Sequence, residues 1–312
     1  MSTSILSWPR SGSFSADEST PPVIATHGGS AANERAMSYD PRSYWNARFR
    51  KYGHTGEVDP VIYAYDQGQR LRAIDRALTR DGVRVDGGRA LDVGCGSGDV
   101  IELLLRRGAR EVTGIDCSEG VVAHARERFA AAGHRVKLEV GLLEDAALPA
   151  GVFDVVTSVN LLQHVTGEPE LRNVVTALVS ALAPTGHLVL LEFSPSRVRV
   201  RRPSDYLVVR PRAEYVAVVE AAGCRLAAEL PLPRLGVRMC RAVRRAGEAV
   251  RRRRIRDKAD RKAVGAAPSV TDARLYSIVR GAILALARPI DESSLRVPRG
   301  ATDMRILLFA KV

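Results

Sequence analysis

A doubly wound α/β domain is the fold class that the sequence predicts, because short strands alternate with helices between residues 89 and 193. Strands that alternate with helices of this length are typical of a parallel sheet covered on both faces. Apolar residues make up 46% and charged residues 26% of the 312 residues, which excludes collagen-like and wholly disordered chains. The predicted strands are 90–93, 112–115, 136–140, 153–159 and 187–193, and the predicted helices are 100–105, 121–132 and 171–182.

Two segments precede this region. Residues 1–37 are rich in Ser, Thr, Gly, Ala and Pro and show no hydrophobic period, so we expect a disordered tail. Residues 38–82 combine aromatic side chains with a helical apolar pattern at Leu71, Ile74 and Leu78, which predicts a helical cap or lid.

The alternation loosens after residue 194. A helix at 211–222, a strand at 225–230 and a last strand at 304–311 extend the domain, so its core is expected to comprise residues 83–235 and 300–312. Residues 236–299 read as a basic helical insertion before the last strand. The apolar stripe from Leu275 to Leu286 in this insertion could face the core or a second copy of the chain, and we expect it to face the core.

The positive charge of the chain is regional. The net charge is +12, and residues 195–262 alone hold 20 basic and 7 acidic side chains, a local balance of +13. Such a segment could bind nucleic-acid phosphates, meet acidic lipids, recognise an anionic substrate or form a solvated helix face. The four cysteines show no metal-ligand spacing, and no signal peptide or membrane span is evident, so we expect a reduced, cytoplasmic protein without a metal site.

The strongest chemical signal is a glycine-rich turn after the first predicted strand. The strand ends in Asp92, and Gly94, Gly96 and Gly98 follow at alternate positions before a helix. Glycine lets the backbone N–H groups at a helix N-terminus approach a nucleotide-like ligand closely. The dinucleotide fingerprint needs glycine where Asp99 stands, which argues against NAD or FAD.

A second acidic residue follows the next predicted strand. Asp116 comes 18 residues after Gly98, close to the spacing at which a carboxylate binds both ribose hydroxyls. Together with Asp92 and the glycine turn, this pattern resembles the class I S-adenosylmethionine-dependent methyltransferase family, of the type that acts on small molecules and natural products. The resemblance implies a seven-stranded Rossmann-like sheet and the cofactor S-adenosyl-L-methionine, with S-adenosyl-L-homocysteine as product.

The resemblance also implies which residues bind the cofactor. Asp92 and the turn would hold the methionine part, Asp116 the ribose, and residues after the second and third strands the adenine. The family often has an acidic residue where Leu142 stands, which weakens the adenine assignment. The implied cofactor residues are Asp92, Gly94, Cys95, Gly96, Gly98, Asp116, Cys117, Leu143, Glu144 and Asn160.

Catalysis by methyl transfer needs the acceptor in line with the methyl group, and a base is optional. His164 follows the fourth predicted strand and could remove the acceptor proton, while Gln163 could orient the acceptor. His164 could equally be a loop residue held by a hydrogen bond, and Asn160 a simple turn residue. The cap offers lid or substrate residues at Tyr44, Trp45, His54, Tyr65 and Gln67.

The sequence therefore predicts an S-adenosylmethionine-dependent methyltransferase. We expect a small-molecule acceptor, such as a secondary metabolite, a sugar or a modified peptide, methylated on oxygen rather than on nitrogen or carbon. An RNA methyltransferase that docks phosphates on the Arg-rich insertion is the second interpretation, and a non-catalytic cofactor-binding scaffold is the third. The acceptor and the oligomeric state stay open.

Overall fold

The computed structural model describes residues 39–145, 147–196, 206–257, 270–294 and 303–312. The predicted tail, residues 1–37, lies outside these residues, and so does part of the predicted insertion. The described strands are β1 (Arg89–Val93), β2 (Glu111–Asp116), β3 (Val136–Val140), β4 (Phe153–Val159), β5 (Leu182–Phe193), β6 (Cys224–Pro231) and β7 (Met304–Lys311). The described helices are α1 (Pro41–Tyr52), α2 (Pro60–Arg80), α3 (Asp99–Arg106), α4 (Glu119–Arg128), α5 (Glu168–Ala181), α6 (Arg212–Ala221), α7 (Leu235–Asp257) and α8 (Val270–Ser294).

The seven strands form one sheet in the order β3-β2-β1-β4-β5-β7-β6. Strands β1 to β5 are parallel, and β7 is antiparallel to both of its neighbours. Helices cover both faces, and two apolar clusters fill the spaces between helices and sheet. The predicted doubly wound fold with seven strands is confirmed. Because ligands of such sheets bind beyond the carboxyl ends of the parallel strands, this edge is where a site is expected.

Local sequence signals explain where helices begin and end. Asp59 caps α2 by accepting hydrogen bonds from Val61 N at 3.0 Å and Ile62 N at 3.2 Å. Ser118 caps α4 in the same way, through Val121 N. Helix α4 was predicted to reach Ala132 but ends at Arg128, and a tighter 3₁₀ segment follows (Ala130–Arg135). That segment contains Gly133 at φ 57°, a left-handed conformation that stops a regular helix.

The insertion contains α7 and α8, which pack against each other and on α2. The expectation that the stripe from Leu275 to Leu286 faces the core is wrong. Leu275, Ile278 and Leu286 are 61%, 70% and 74% exposed, while the buried residues of α8 include Leu284 and Ala287. Helix α8 carries apolar side chains on two faces. One face contacts α7 and α2, and the other is exposed to solvent. No helix among the described residues is long and apolar enough to cross a membrane.

Asp291 of α8 joins the two insertion helices to α2. Its carboxylate accepts hydrogen bonds from Leu235 N at 2.8 Å and Gly236 N at 3.1 Å, the first amides of α7. The same carboxylate accepts the hydroxyl of Tyr65 at 2.7 Å. Two of these bonds are buried and the bond from Leu235 is partly buried, so Asp291 holds α7 and α8 against α2.

Candidate active site

The glycine turn lies between β1 and α3, at the carboxyl edge of the sheet. Gly94, Gly96 and Gly98 have φ values of 69°, 52° and 84°, all left-handed. At Gly98 a side chain would also collide with the ring of Phe129, so glycine is required there for two reasons. The turn leads directly into Asp99, the first residue of α3, and so places a helix N-terminus at this edge.

Asp92 lies beneath the turn and is 1% exposed. Its Oδ1 accepts the hydroxyl of Thr157 at 2.6 Å, but its Oδ2 has no partner among the described residues. Burial, together with the nearby carboxylates of Asp116 and Asp99, raises the pKa of Asp92 to about 7, and the hydrogen bond from Thr157 opposes this shift. A cation brought to this carboxyl would satisfy the unpaired oxygen and lower the pKa again.

Asp116 ends β2 next to the turn. Its two carboxylate oxygens accept hydrogen bonds from Gly96 N at 3.0 Å and Ser118 N at 2.9 Å. Burial raises its pKa, and these two backbone bonds oppose the shift. Each oxygen keeps a lone pair for a further donor, so the carboxylate can bind a ligand hydroxyl without losing its backbone partners.

The other predicted cofactor residues lie in the glycine turn and in the segments after β2 and β3. Cys95 is buried in the turn, and its N–H donates to Ile115 O at 3.1 Å. Cys117 is half-buried, and burial raises the pKa of its thiol to about 12, so the thiol is neutral. Leu143 is buried and packs in the apolar cluster under the sheet edge. The side chain of Glu144 lies outside the described part of the structure.

The loop after β4 carries Asn160, which has a left-handed φ of 55° although it is not glycine. Turned toward Arg70, its amide oxygen accepts from both terminal guanidinium nitrogens, at 2.8 and 3.2 Å. Gln163 donates to Asn160 O at 3.4 Å. Such a conformation costs free energy in a non-glycine residue, so the surroundings must hold it.

Glu192, at the end of β5, holds that loop. One of its carboxylate oxygens accepts Leu161 N at 3.0 Å and Leu162 N at 2.9 Å. The side chain is 1% exposed, and its second oxygen has no partner among the described residues. Burial raises the pKa of Glu192 to about 8. Glu192 therefore fixes the backbone that presents Asn160 and His164 at the site.

His164 lies on the single 3₁₀ turn of this loop. Its Nδ1 is 2.7 Å from Tyr206 O, and a carbonyl can only accept, so Nδ1 carries the proton and Nε2 is the basic nitrogen. Gln163 Nε2 lies 3.4 Å from that nitrogen. Burial lowers the pKa of His164, so the ring is neutral at pH 7 and able to accept a proton.

Helix α1 brings aromatic cap residues to His164. The Trp45 ring meets the His164 ring edge-on at 5.0 Å, and Tyr44 stacks on Tyr206 at 5.6 Å. Asn46 ties α1 to the start of α4, because its amide oxygen accepts Gly120 N at 3.0 Å. Two of the predicted cap residues, Tyr44 and Trp45, thus lie beside the predicted base.

The other predicted cap residues lie in different places. Gln67 donates to Asp99 Oδ2 at 3.0 Å and so contacts the start of α3. His54 is buried with its ring 3.9 Å above that of Tyr63, and the adjacent residue, Thr55, approaches Gly96. Tyr65 does not join the site, because its hydroxyl is buried on Asp291 of the insertion.

Arg70, Thr157, Glu192 and Tyr206 are site residues that sequence reasoning missed. Glu192 had a usable signal, since it is a charged residue at the end of an otherwise apolar strand. Arg70 had none, because it is one of several arginines on α2 and only the packing brings it to Asn160. Among the described residues no cluster of His, Cys, Asp or Glu could hold a metal ion.

Comparisons with known proteins fit this geometry. Residues 90–186, from β1 into β5, match the family described as Methyltransferase domain. This part of the chain thus resembles the class I S-adenosylmethionine-dependent methyltransferase family, as expected from the sequence. Two curated relatives, both named Ubiquinone biosynthesis O-methyltransferase, come from Marinobacter nauticus and Xanthomonas axonopodis pv. citri. They are 36% identical over 150 residues and 38% identical over 132 residues.

These matches cover part of each protein. They include 47% and 42% of this chain, and the chain spans 57% and 51% of the two relatives, about half their length. The crystal structure of the cyclase SpnF aligns with a TM-score of 0.50 at 20% identity, over 77% of this chain and 80% of that one. At such identity the likeness shows the fold alone, and a fold does not decide the reaction.

The residues of the candidate site fit S-adenosylmethionine, the cofactor of the family that the chain resembles. The cofactor carries an ammonium and a sulfonium, and the site offers the unpaired, buried carboxyl oxygen of Asp92 beside the glycine turn. Asp116 offers acceptor lone pairs for ribose hydroxyls, and Arg70, which is also paired with Asp66 at 2.6 Å, offers N–H donors for a carboxylate. The charges of the site thus complement those of the cofactor.

Proposed function

We propose that this protein binds S-adenosylmethionine and transfers its methyl group to an oxygen of a small molecule. The observation that carries the proposal is Asp92, a fully buried carboxyl group with an unpaired oxygen below three left-handed glycines. Leaving such a group unpaired is costly, and a bound cation at this edge removes the cost. When bound, the cofactor supplies an electrophilic methyl group on sulfur.

Each residue has a stated task in this proposal. Asp92 and the turn Gly94–Gly98 bind the methionine part, and Asp116 binds the ribose hydroxyls. Cys117 and Leu143 line the adenine site. The ammonium reaches the unpaired oxygen of Asp92, and Asn160, through its side chain or an adjacent carbonyl, is a second acceptor for it. Arg70 donates to the carboxylate of the cofactor. Glu144 accepts the adenine amino group in this proposal, as the family resemblance alone implies.

His164 is the proposed base. Its Nε2 is unprotonated at neutral pH, and its ring is held on both sides, by Tyr206 O at Nδ1 and by Trp45 at the ring edge. An acceptor hydroxyl that loses its proton to Nε2 becomes a stronger nucleophile toward the methyl carbon. Gln163, next to the same nitrogen, orients the acceptor. The aromatic side chains of α1 keep water from this part of the site.

Calorimetric titration tests cofactor binding. We expect micromolar affinity for S-adenosylmethionine and S-adenosylhomocysteine, no binding of NAD, and at least a tenfold loss of affinity in Asp116→Ala. Glu127→Ala, an exposed change on α4, serves as the matched control and keeps the affinity. Tight NAD binding, or unchanged affinity in Asp116→Ala, contradicts the proposed site.

The same titration in two buffers of different ionisation enthalpy tests Asp92 directly. With a pKa of about 7, Asp92 is about half protonated at pH 7 before binding. An ammonium at its unpaired oxygen lowers this pKa, so binding releases about half a proton. Asp92→Asn abolishes the release. An equal binding enthalpy in both buffers for the unaltered protein shows that the cation does not reach Asp92.

The nature of the acceptor is also proposed. The names of the two relatives favour oxygen over nitrogen or carbon, and a secondary metabolite, sugar or modified peptide stays the expected acceptor class. An acceptor screen with isotopically labelled methyl donor and mass spectrometry of the product tests both points. We expect His164→Gln to lower kcat by about 10²–10⁴ with little change in cofactor affinity. A product methylated on carbon or nitrogen overturns the assignment of oxygen.

A further inference from the structure

The outer face of α8 presents a row of large apolar side chains to solvent. Leu275, Ile278, Leu286 and Ile290 are 61%, 70%, 74% and 51% exposed. Their spacing of three, eight and four residues places them along one side of the helix, opposite the buried Leu284 and Ala287. The row extends about 22 Å, since fifteen residues separate its ends at about 1.5 Å per residue. Exposed rows of this kind mark interaction surfaces.

Positive charge accompanies this row. On α8 itself, Arg274 is exposed next to Leu275, whereas Arg288 lies over the Tyr65 ring. The three arginines of α8 are equal in number to its acidic residues, so the excess of positive charge comes from α7. Helix α7, which packs against α8, has nine arginines and only two acidic residues in its sequence, Glu248 and Asp257. On the described part of α7 the arginines at 238, 244 and 245 are exposed. The partner of this face must therefore be apolar and carry negative charge.

We infer that the outer face of α8, with Arg274 and the exposed arginines of α7, binds an anionic lipid bilayer surface. A helix that lies in a membrane interface combines an apolar face with Lys or Arg at its borders, which is the pattern here. The apolar side chains enter the headgroup region, and the arginines meet lipid phosphates or carboxylates. The insertion binds at the surface, in keeping with the finding that no described helix is able to span a bilayer.

A second copy of the chain fits this face less well. A stable dimer buries about 800 Å² on each partner, and four side chains on one helix fall short of that area. Two copies joined through α8 would also bring two Arg-rich α7 helices near each other, and like charges repel. This inference concerns a surface outside the glycine turn and His164, so it stands or falls independently of methyl transfer.

Sedimentation with vesicles tests the inference. The full chain is mixed with vesicles of phosphatidylcholine alone or with about 30% phosphatidylserine, at salt concentrations from about 50 to about 500 mM. We expect binding to the anionic vesicles only, weakening at least fivefold over this salt range because of screening. The double variant Ile278→Asn/Leu286→Asn should bind at least tenfold more weakly. Val312→Asn, which changes a residue that is 89% exposed after β7, should bind like the unaltered protein.

Three results would overturn the inference. The unaltered protein could stay in the supernatant with anionic vesicles. The double variant could bind these vesicles as well as the unaltered protein, which would mean that charge alone, and not the apolar row, makes the contact. Light scattering could instead show a dimer that the double variant converts to monomer, which would assign the face to a second copy. Circular dichroism and S-adenosylhomocysteine titration of both variants verify that they fold, since the changed side chains are exposed and lie outside the proposed cofactor site.

Discussion

Glu192 gives a prediction that follows closely from its surroundings. Its pKa rises from an ordinary 4.5 to about 8 because the carboxyl group is buried at the end of β5. Between these two values the folded chain holds a proton that the unfolded chain has lost. The free energy of unfolding therefore decreases as pH rises through this window. With about 1.4 kcal/mol for each tenfold change, the decrease between pH 5 and pH 9 is about 4 kcal/mol.

The variant Glu192→Gln removes this decrease. The glutamine oxygen still accepts the amides of Leu161 and Leu162, but the side chain cannot ionise. We expect the unfolding free energy of the variant, relative to the unaltered protein, to increase by about 4 kcal/mol from pH 5 to pH 9. Other buried carboxyls, such as Asp92, contribute equally to both proteins and cancel in the difference.

Denaturant unfolding at a series of pH values, followed by circular dichroism, measures this difference. Glu127→Gln, which changes an exposed carboxylate on α4, should give a curve parallel to that of the unaltered protein. Parallel curves for Glu192→Gln would refute the reasoning. They would mean that Glu192 stays ionised in the folded chain, with its charge balanced by Arg70.

The remaining predictions concern the turn, the loop and the base. Gly98→Ala should lower the free energy of unfolding by about 1–3 kcal/mol from backbone strain and by more from the clash with Phe129, measured by denaturant unfolding. At Gly133 a side chain would meet nothing within 4 Å, so Gly133→Ala should lower the free energy of unfolding through backbone strain alone. Arg210 is fully buried and donates to the carbonyls of residues 162 and 166, so Arg210→Ala should lower the free energy of unfolding by about 2–4 kcal/mol. The measurement is the melting temperature, and an unchanged value would contradict these contacts. Initial rates of methyl transfer should fall in acid as His164 gains a proton, with a midpoint below pH 6.5, and stay constant above; a rate that is independent of pH in acid would exclude His164 as the base.

The sequence predicted those features that depend on residues close together in the chain. The strand and helix alternation, the glycine turn with Asp92, and the acidic residue at 116 are local patterns, and the structure brings the turn and Asp116 into contact. The bond from Glu192 to the loop after β4 joins residues about 30 positions apart, and only the pairing of β4 with β5 brings them together. Such contacts leave no periodic signal.

Helix α8 shows why a hydrophobic period can mislead. A period identifies an apolar face, but α8 has apolar residues on opposite faces, and the period alone does not say which is buried. Tyr65 was predicted as a lid residue but lies away from the site, for a related reason. An aromatic side chain with a hydroxyl suits a lid, but it suits equally a buried contact with a carboxylate such as Asp291.

The carboxylate of Asp291 has a consequence for the order in which the chain folds. It provides the first amides of α7 with their acceptor, although it follows them by more than 50 residues. A helix start is usually capped by a side chain next to it in sequence, whereas these amides gain their carboxylate acceptor only when α8 has docked. This docking joins residues that are far apart in the chain, and such contacts form late. During synthesis on the ribosome, most of the sheet can therefore form before the first amides of α7 gain this acceptor.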